Sequence, residues 1–389
     1  MTPSFDFGLE AFFAEFREPV RVGLVTNASG CDRRGRHVAE RLAQHPGVTV
    51  SVIFTPEHGF GADEPDGEPV DDSSHPHLRV PIVSLYGPKK KPSPDDLKGL
   101  DLLIYDIQDV GVRFYTYIST LRNIMEAAFA CRLPVHVFDR PDLLGGRVVE
   151  GPLLHEEFRS FVGHLPIPLR YGLTPGELAV WLQRELSLTG ELRVWKCPGW
   201  RRGMSFEDCG IPWRHLSPSM TSMETARFYP GTCLFEGTNL SEGRGTAAPF
   251  QILGAPWVEA EAWRDRLKER LPAHVQVERV TFTPTFSKFQ GIACRGIQLH
   301  STATEFPDAV LIGLLALETL LATHPNQIEF TRRESLPHPF FDHLAGNSWM
   351  REGLTAGIPA LELWERANQE ANHFRNVGRT AALLYEPIA

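Results

Sequence analysis

The feature that most constrains the fold is a pattern that repeats through the first 145 residues of the chain. An apolar run rich in β-branched residues is followed by a polar or glycine-rich turn and then by a helical stretch. The apolar runs lie at residues 21–27, 48–55, 102–106 and 135–139. Strands that alternate with helices are typical of parallel βαβ units, and strands that are apolar on both faces indicate helices on both sides of a sheet. The pattern therefore predicts an α/β fold with a doubly wound sheet at its core.

The pattern changes after Trp257, which indicates a second and smaller domain of the α+β class. The sequence predicts a helix, a pair of strands, another helix and a helical tail, at about 259–271, 275–283 with 292–301, 307–323, and from 348 onward. A chain of 389 residues has room for two domains, since one domain commonly spans roughly 100–200 residues. We put the predicted boundary between residues 254 and 255.

The region between these two patterns, residues 150–254, is rich in proline, glycine and tryptophan. It contains one well-marked helix, predicted over 174–186. Thr174 and Glu177 form a capping-box pattern, with proline at the first helical position. The stretch 229–246 is dense in turn-forming residues and functional side chains, so we predict a structured loop there.

Composition and charge exclude several classes of protein. The longest apolar run, at 309–317, has nine residues, whereas a membrane span needs about 20. The formal net charge is −9, and a protein that binds a phosphate backbone normally has an excess of basic residues. The six cysteines form no Cys-x-x-Cys pair, so we expect free, buried side chains in a reducing compartment. The N-terminus lacks a signal-peptide pattern, so we expect a cytoplasmic protein that binds neither membrane nor nucleic acid.

Three common catalytic motifs do not occur in the sequence. There is no Gly-x-Ser-x-Gly elbow, no Walker-type Gly-Lys-Ser/Thr, and no complete glycine fingerprint for a dinucleotide. These observations disfavour serine hydrolases, nucleoside triphosphatases and NAD-dependent enzymes.

Polar side chains follow each of the four strands predicted in the first 145 residues. They are Asn27, then Glu57 and His58, then Asp106, Gln108 and Asp109, then Asp139 and Arg140. Because the ligand crevice of an open α/β sheet lies outside the carboxyl ends of its strands, we expect these four groups to meet at one opening. This convergence predicts a functional site at that edge of the sheet.

Glu57 is the first candidate for a proton-transferring residue. A carboxyl group at the end of a buried strand is partly desolvated, and desolvation favours the protonated form that donates a proton. The alternative is a glutamate that caps a helix or stabilises a loop. Asp106 and Asp109 belong to a second dense group of functional side chains, although either is also able to cap the following helix. Glu126 lies within that helix, where most glutamates are solvated.

Four arginines lie in or near these functional segments: Arg113, Arg140, Arg170 and Arg244. A guanidinium group presents a planar pair of donors that matches a carboxylate ligand. We do not expect all four to reach a ligand, because one or two pair with Asp139, Glu236 or Glu242.

Six motifs together resemble the exo-β-N-acetylmuramidase family of the NamZ kind, formerly a family of unknown function. They are TPEHGF at 55–60, SLYG at 84–87, YDIQDVGVRFYTY at 105–117, DRP at 139–141 with GG at 145–146, EGP at 150–152, and YPGTCLFEGTNLSEGRGT at 229–246. The resemblance covers nearly the whole chain. It implies a Rossmann-like N-terminal catalytic domain, a C-terminal auxiliary domain, and release of N-acetylmuramic acid from the non-reducing end of peptidoglycan fragments, with no cofactor.

The resemblance also implies roles for individual residues. Glu57 is similar to the proposed catalytic glutamate of the family, and glycoside hydrolysis needs a second carboxylate as base or nucleophile. The candidates for this second group are Asp106, Asp109, Glu126 and Glu150. The predicted substrate-binding residues are Asn27, His58, Gln108, Arg113, Tyr115, Arg140, Arg170, Tyr171, Asn239, Glu242 and Arg244. The lactyl carboxylate of muramic acid would explain why an acidic protein directs several arginines to one cleft.

The chain departs from the family pattern in two respects. Tyr171 occupies a position where we expect histidine, so one possible ligand contact is changed. Family members are commonly exported, whereas a cytoplasmic member would act on imported muropeptides or disaccharides. Two other functions stay open, namely a non-catalytic muropeptide- or sugar-binding protein and a carbohydrate deacetylase or esterase. The latter needs a metal or a serine nucleophile that the sequence does not offer.

Overall fold

The computed structural model describes residues 5–387, which form a mixed α/β structure with two sheets. The large sheet has seven strands in the spatial order β3-β4-β2-β1-β5-β6-β7. Their bounds are β1 (Val20–Thr26), β2 (Val48–Thr55), β3 (Ser73–Ser74), β4 (Pro81–Ser84), β5 (Leu102–Asp106), β6 (Val135–Phe138) and β7 (Leu192–Trp195). Strand β3 pairs antiparallel with β4, and the other pairs are parallel.

The four strands predicted from the apolar runs are confirmed as β1, β2, β5 and β6. Strand β1 lies at the centre, between β2 and β5. The chain winds from β1 through β2 to β4, and then returns to the other side of β1 for β5, β6 and β7. Strands β5 and β6 are buried along their whole length, as their apolar character on both faces predicts.

Helices cover both faces of this sheet. Leu24 of β1 belongs to the apolar layer under α1 (Gly8–Glu15) and α2 (Val38–Ala43), while the next residue, Val25, belongs to the layer under α3 (Tyr117–Ala130) and α4 (Pro175–Glu185). The predicted start of α4 is confirmed. Its capping residue, Thr174, accepts a hydrogen bond from the Glu177 backbone, and the Glu177 carboxylate accepts one from the Thr174 backbone.

The C-terminal part contains a small antiparallel sheet in the order β8-β10-β9. Its strands are β8 (Ile252–Ala255), β9 (Gln276–Phe282) and β10 (Cys294–His300), of which the last two confirm the predicted pair. The remaining helices are α5 (Phe206–Cys209), α6 (Met223–Thr232), α7 (Ala260–Lys268), α8 (Ala309–Thr323), α9 (Phe340–Ala345), α10 (Trp349–Thr355) and α11 (Ala360–Glu370). The predicted boundary at 254/255 falls within β8, and the division into two domains stays a prediction.

One prediction for the middle region needs correction. The first residues of the predicted loop 229–246 continue α6, and a 3₁₀ turn at Cys233–Gly237 follows. Gly231 lies within this helix and packs directly on α8, where a side chain would collide with the Ala309 backbone. One apolar core includes residues of β1, β2 and β5 as well as residues of α8 and α11.

All six cysteines are free, and five are buried as predicted, whereas Cys131 is exposed at the end of α3. No helix within residues 5–387 combines the length and apolar character needed to span a bilayer.

Arg113 joins the N-terminal part of the chain to α9. It is 0% exposed, and its two terminal amino groups donate to four backbone carbonyls, those of Pro152, Ile167, Leu344 and Ala345, at 2.7–3.0 Å. Gly346 ends α9 with a positive φ of 79°, and a side chain there would collide with the guanidinium group. The prediction that Arg113 binds substrate therefore needs correction, because the carbonyls occupy its terminal amino groups.

We predict that Arg113→Lys lowers the free energy of unfolding by about 3 kcal/mol, because a lysine cannot reach four buried carbonyls at once. Urea denaturation measures this change. The matched control is Arg17→Lys, since Arg17 also donates to backbone carbonyls but is exposed. This control should change stability by less than about 0.5 kcal/mol. Equal effects of the two substitutions would contradict the role of Arg113.

Candidate active site

A cavity of about 330 Å³ lies between the end of β2, the start of α3 and the segments that follow α6. Its polar lining includes carboxylates, two arginines, a histidine and several hydroxyls: Glu57, His58, Asp66, Glu68, Tyr86, Tyr115, Thr116, Ser217, Tyr229, Glu236, Arg244 and Arg333. Apolar contacts come mainly from Phe114, Val162, Met220, Phe250, Phe340 and Leu344. Aromatic faces among charged groups suit a small polar ligand that also has apolar faces.

Glu57 lies two residues after the end of β2, and two donors hold its carboxylate. Oε1 accepts a hydrogen bond from the Gly67 backbone at 3.0 Å, and Oε2 accepts one from Thr116 Oγ1 at 2.5 Å. The chain turns sharply after Glu57, where His58 and Gly59 have positive φ values of 70° and 73°. These contacts fix one buried carboxyl group at the edge of the cavity.

Arg244 contacts three carboxylates around the cavity. It pairs with Asp66, with Glu236 at 2.7 Å and with Glu242 at 3.2 Å. Burial alone would lower the pKa of Arg244, but these three negative charges raise it well above its usual range. Glu242 also accepts from Lys288 at 3.1 Å. The guanidinium charge of Arg244 is thus already more than offset by protein carboxylates.

Tyr86 and Lys90 both lie close enough to Glu57 to interact with its charge. Burial, together with the charge of Glu57, raises the pKa of Tyr86. The Lys90 ammonium lies 3.6 Å from the centre of the Tyr86 ring, and burial lowers the pKa of Lys90. This side of the cavity therefore presents an aromatic ring with a cation behind it.

The four strand-end groups predicted to meet at one opening are divided between two places. Glu57 and His58 line the large cavity, whereas Gln108 and Arg140 line a separate space of about 30 Å³. The reason is that Arg140 Nε donates to Asp106 at 2.5 Å in a buried ion pair. This pair joins the ends of β5 and β6, and Arg140 also donates to the Cys31 carbonyl after β1. The strand-end groups therefore do not share one opening.

Comparison with known proteins bears on what this cavity is for. The family sequence profile described as Exo-beta-N-acetylmuramidase NamZ, N-terminal, matches residues 22–224, and the corresponding C-terminal profile matches residues 227–385. The chain belongs to the NamZ family. It is 40% identical, over 358 residues, to the peptidoglycan β-N-acetylmuramidase NamZ of Bacillus subtilis strain 168, which covers 91% of this chain and 85% of that protein.

Two solved structures resemble the whole chain. A DUF1343 family protein (BF0371) from Bacteroides fragilis aligns with a TM-score of 0.89 and 30% identity, covering 99% of this chain and 100% of that chain. A second DUF1343 protein (BF0379) from the same organism aligns with a TM-score of 0.78 and 28% identity, with the same coverage. The fold of this NamZ family member therefore occurs in experimental structures.

The NamZ motifs contribute unequally to the cavity. Of the predicted site residues, Glu57, His58, Tyr115 and Arg244 line it. Sequence reasoning did not select Asp66, Glu68, Tyr86, Thr116, Glu236 or Arg333 as site residues. Tyr86, Thr116 and Glu236 lie within three of the motifs, so their place in a motif could have indicated that they belong to the site. Asp66 and Arg333 lie outside every motif.

Three predicted residues near β1 and β5 are held within the protein, as is Arg140. The Asn27 carboxamide oxygen accepts from both the backbone and the hydroxyl of Ser29. The Gln108 carboxamide donates to the carbonyls of Asp109 and Pro141. Asp106 pairs with Arg140, as described above. These contacts stabilise the turns after the strands, and none of the three residues lines the large cavity.

Five other predicted residues also lie outside the lining of the large cavity. Glu150 is buried, and its Oε1 accepts from Trp364 at 2.7 Å and from the Val310 backbone at the start of α8. Arg170 donates to the carbonyls of Phe306 and Leu144. Glu126 pairs with Arg122 on the surface of α3. The Asn239 side chain forms hydrogen bonds with the backbone of Gln327 and Glu329. Glu242 pairs with Arg244. The side chains of these five residues therefore contact other parts of the protein and do not face the large cavity.

Asp109 and Tyr171 form a buried pair outside the cavity. The Tyr171 hydroxyl donates to Asp109 Oδ2, so the residue expected from the sequence to depart from the NamZ pattern contacts the core. Asp109 Oδ1 has no hydrogen-bond partner among residues 5–387. Burial raises the pKa of Asp109 from 3.8 to about 7, although hydrogen bonds from Tyr171 and Gly111 act in the opposite direction.

We predict that Asp109→Asn reduces the pH dependence of stability between pH 5 and pH 7. The folded wild type retains a proton that the unfolded chain releases above its pKa of about 3.8, so the free energy of unfolding falls as pH rises toward 7. The variant lacks this contribution of up to about 1.4 kcal/mol per pH unit. Denaturant unfolding at several pH values measures both slopes, and equal slopes would contradict the raised pKa.

Asp96→Asn provides a matched control for this experiment. Partial burial raises the pKa of Asp96, but hydrogen bonds from Ser93 and Lys89 lower it further, with a net lowering below 3.8. Asp96 is therefore ionised in both states above pH 5. Its replacement should lower stability by the same amount at every pH from 5 to 8, leaving the slope unchanged.

Proposed function

We propose that this protein is an exo-β-N-acetylmuramidase, a glycoside hydrolase that releases N-acetylmuramic acid from the non-reducing ends of peptidoglycan fragments. The observation that carries the proposal is the environment of Glu57, the glutamate of the family motif. Its carboxyl group is held by two donors at the edge of a cavity of about 330 Å³. That volume lies within the roughly 300–1,000 Å³ typical of small-molecule sites. The Bacillus subtilis relative is named for peptidoglycan β-N-acetylmuramidase activity, which supports the same reading.

In the proposed reaction Glu57 donates its proton to the glycosidic oxygen while the bond to the anomeric carbon breaks. The Gly67 backbone and the Thr116 hydroxyl hold the carboxyl group in one position, so the proton does not have to be brought to the oxygen by a side-chain rearrangement. After the leaving group departs, the ionised Glu57 is available to accept a proton from the attacking water in a retaining reaction.

The second carboxylate of the reaction has to reach the same sugar. The four candidates proposed from the sequence do not line the cavity: Asp106, Asp109, Glu126 and Glu150. We therefore propose that the second group is one of the other cavity carboxylates, Asp66, Glu68 or Glu236. Asp66 and Glu68 flank Gly67, whose backbone already contacts Glu57.

We further propose that residues 1–254 form a Rossmann-like catalytic domain and residues 255–389 an auxiliary α+β domain. The reversal of strand order at β1 supports the first part, because it is typical of doubly wound sheets. The auxiliary part contributes Arg333, Phe340 and Leu344 to the cavity. Its proposed role is therefore to complete the site for peptidoglycan-derived saccharides.

We predict that Glu57→Gln retains the fold but lowers release of N-acetylmuramic acid from a chromogenic muramide by at least about 10²-fold, because the amide has no proton to transfer as an acid. The matched control is Glu126→Gln, which makes the same chemical change on the surface of α3 and should leave turnover unchanged. Wild-type turnover in Glu57→Gln would contradict the role of Glu57.

The same assay separates the competing functions. If the wild type binds N-acetylmuramic acid in calorimetry but does not turn over the muramide, the protein is a sugar-binding protein. Release of acetate in place of the sugar would identify a deacetylase.

A further inference from the structure

Arg333 is a cavity-lining cation with little compensation from the protein. Its side chain is 51% exposed, and the nearest carboxylate oxygen, Glu236 Oε2, lies 4.0 Å away. No hydrogen bond from its guanidinium group occurs within residues 5–387. Glu236 is itself paired more closely with Arg244, at 2.7 Å. Arg333 therefore presents an available positive charge at the cavity.

The protein holds this guanidinium group in a defined position. Its central carbon lies 3.3 Å from the centre of the Phe340 ring, which also lines the cavity. Backbone hydrogen bonds from Thr331 to Gly237 and from Phe340 to Thr331 fix both ends of the loop that carries Arg333. Contact with an aromatic ring occupies a face of the guanidinium group and leaves its N–H donors for another ligand.

The other cations near the cavity are less available. Arg244 is surrounded by three carboxylates, and the Lys288 ammonium donates to Glu242 and to three backbone carbonyls. Lys90 lies over Tyr86, and it is a point charge without the planar donor pair of an arginine. Comparison of these groups favours Arg333 as the ligand for a planar anion.

We propose that Arg333 binds the lactyl carboxylate of muramic acid and thereby determines the preference for muramides over glucosaminides. This inference rests on the proposed muramidase function. The lactyl group is the feature that distinguishes muramic acid from glucosamine, and its carboxylate is the one charge on the sugar. A guanidinium group binds such a carboxylate through two parallel N–H···O hydrogen bonds. None of the four arginines selected from the sequence is needed for this contact.

The test compares Arg333→Ala and Arg333→Lys with the control Arg332→Ala. Arg332 is the exposed neighbour, and it makes one long contact to the Pro337 carbonyl outside the cavity. Two measurements are made on each protein: kcat and KM on a chromogenic muramide, and calorimetric affinity for N-acetylmuramic acid and for N-acetylglucosamine.

We expect Arg333→Ala to weaken binding of N-acetylmuramic acid by about 10–100-fold, since one charged hydrogen-bonded contact is lost. Affinity for N-acetylglucosamine should stay unchanged. The kinetic loss should appear mainly in KM, because the lactyl contact exists in the ground state as well as in the transition state. Arg333→Lys should fall between wild type and alanine, and Arg332→Ala should match wild type.

Several results would overturn the proposal. Unchanged affinity for N-acetylmuramic acid in Arg333→Ala would do so, as would an equal loss for both sugars, which indicates a purely structural role. A loss selective for N-acetylmuramic acid in Lys90→Gln, without one in Arg333→Ala, would assign the carboxylate to the other cation. Absence of muramide turnover in the wild type would refute the proposed function alone, and the calorimetric comparison would still decide the role of Arg333.

Discussion

The structure depends on how Arg113 is buried. Its four hydrogen bonds to backbone carbonyls join residues 152 and 167 to α9, and thereby set the position of the C-terminal part against the large sheet. The same short segment continues with Tyr115, which lines the cavity, and Thr116, which donates to Glu57. Because these residues are adjacent in the chain, the contact that fixes α9 also helps to position the carboxyl group of Glu57, the proposed acid. One short segment of the chain therefore contributes both to the packing of α9 and to the lining of the cavity.

Two arginines line the cavity, and they differ in how closely protein carboxylates surround them. Around Arg244, three carboxylates more than offset the one guanidinium charge, and the cluster connects the loop at Asp66 to the segment after α6. Buried clusters of this kind are costly to break, because removal of one partner leaves the others unpaired. Arg333 lies beyond the cluster, with its nearest carboxylate 4.0 Å away. A ligand carboxylate gains the most binding free energy beside a cation that no protein carboxylate already pairs closely.

Local signals in the sequence predicted much of the fold, while the site was predicted only in part. The apolar runs fixed the positions of β1, β2, β5 and β6, and the capping box marked the start of α4, because both depend on neighbouring residues. The position of Glu57 after β2 was predicted for the same reason, and Glu57 lines the cavity. Arg113 and Arg140 were misjudged because their partners lie far away in sequence: carbonyls near residue 345 and the carboxylate of Asp106. Arg333 carries no local signal, since it reaches the cavity through long-range packing.

The most direct test of this account is a crystal structure of the Glu57→Gln variant with a disaccharide of N-acetylmuramic acid and N-acetylglucosamine. If Glu57 is the acid, the muramic acid ring occupies the cavity of about 330 Å³ and the glycosidic oxygen lies about 2.6–3.2 Å from the residue 57 side chain. A disaccharide bound at the crevice between β1 and β5, or one whose glycosidic oxygen lies out of reach of residue 57, would contradict the account.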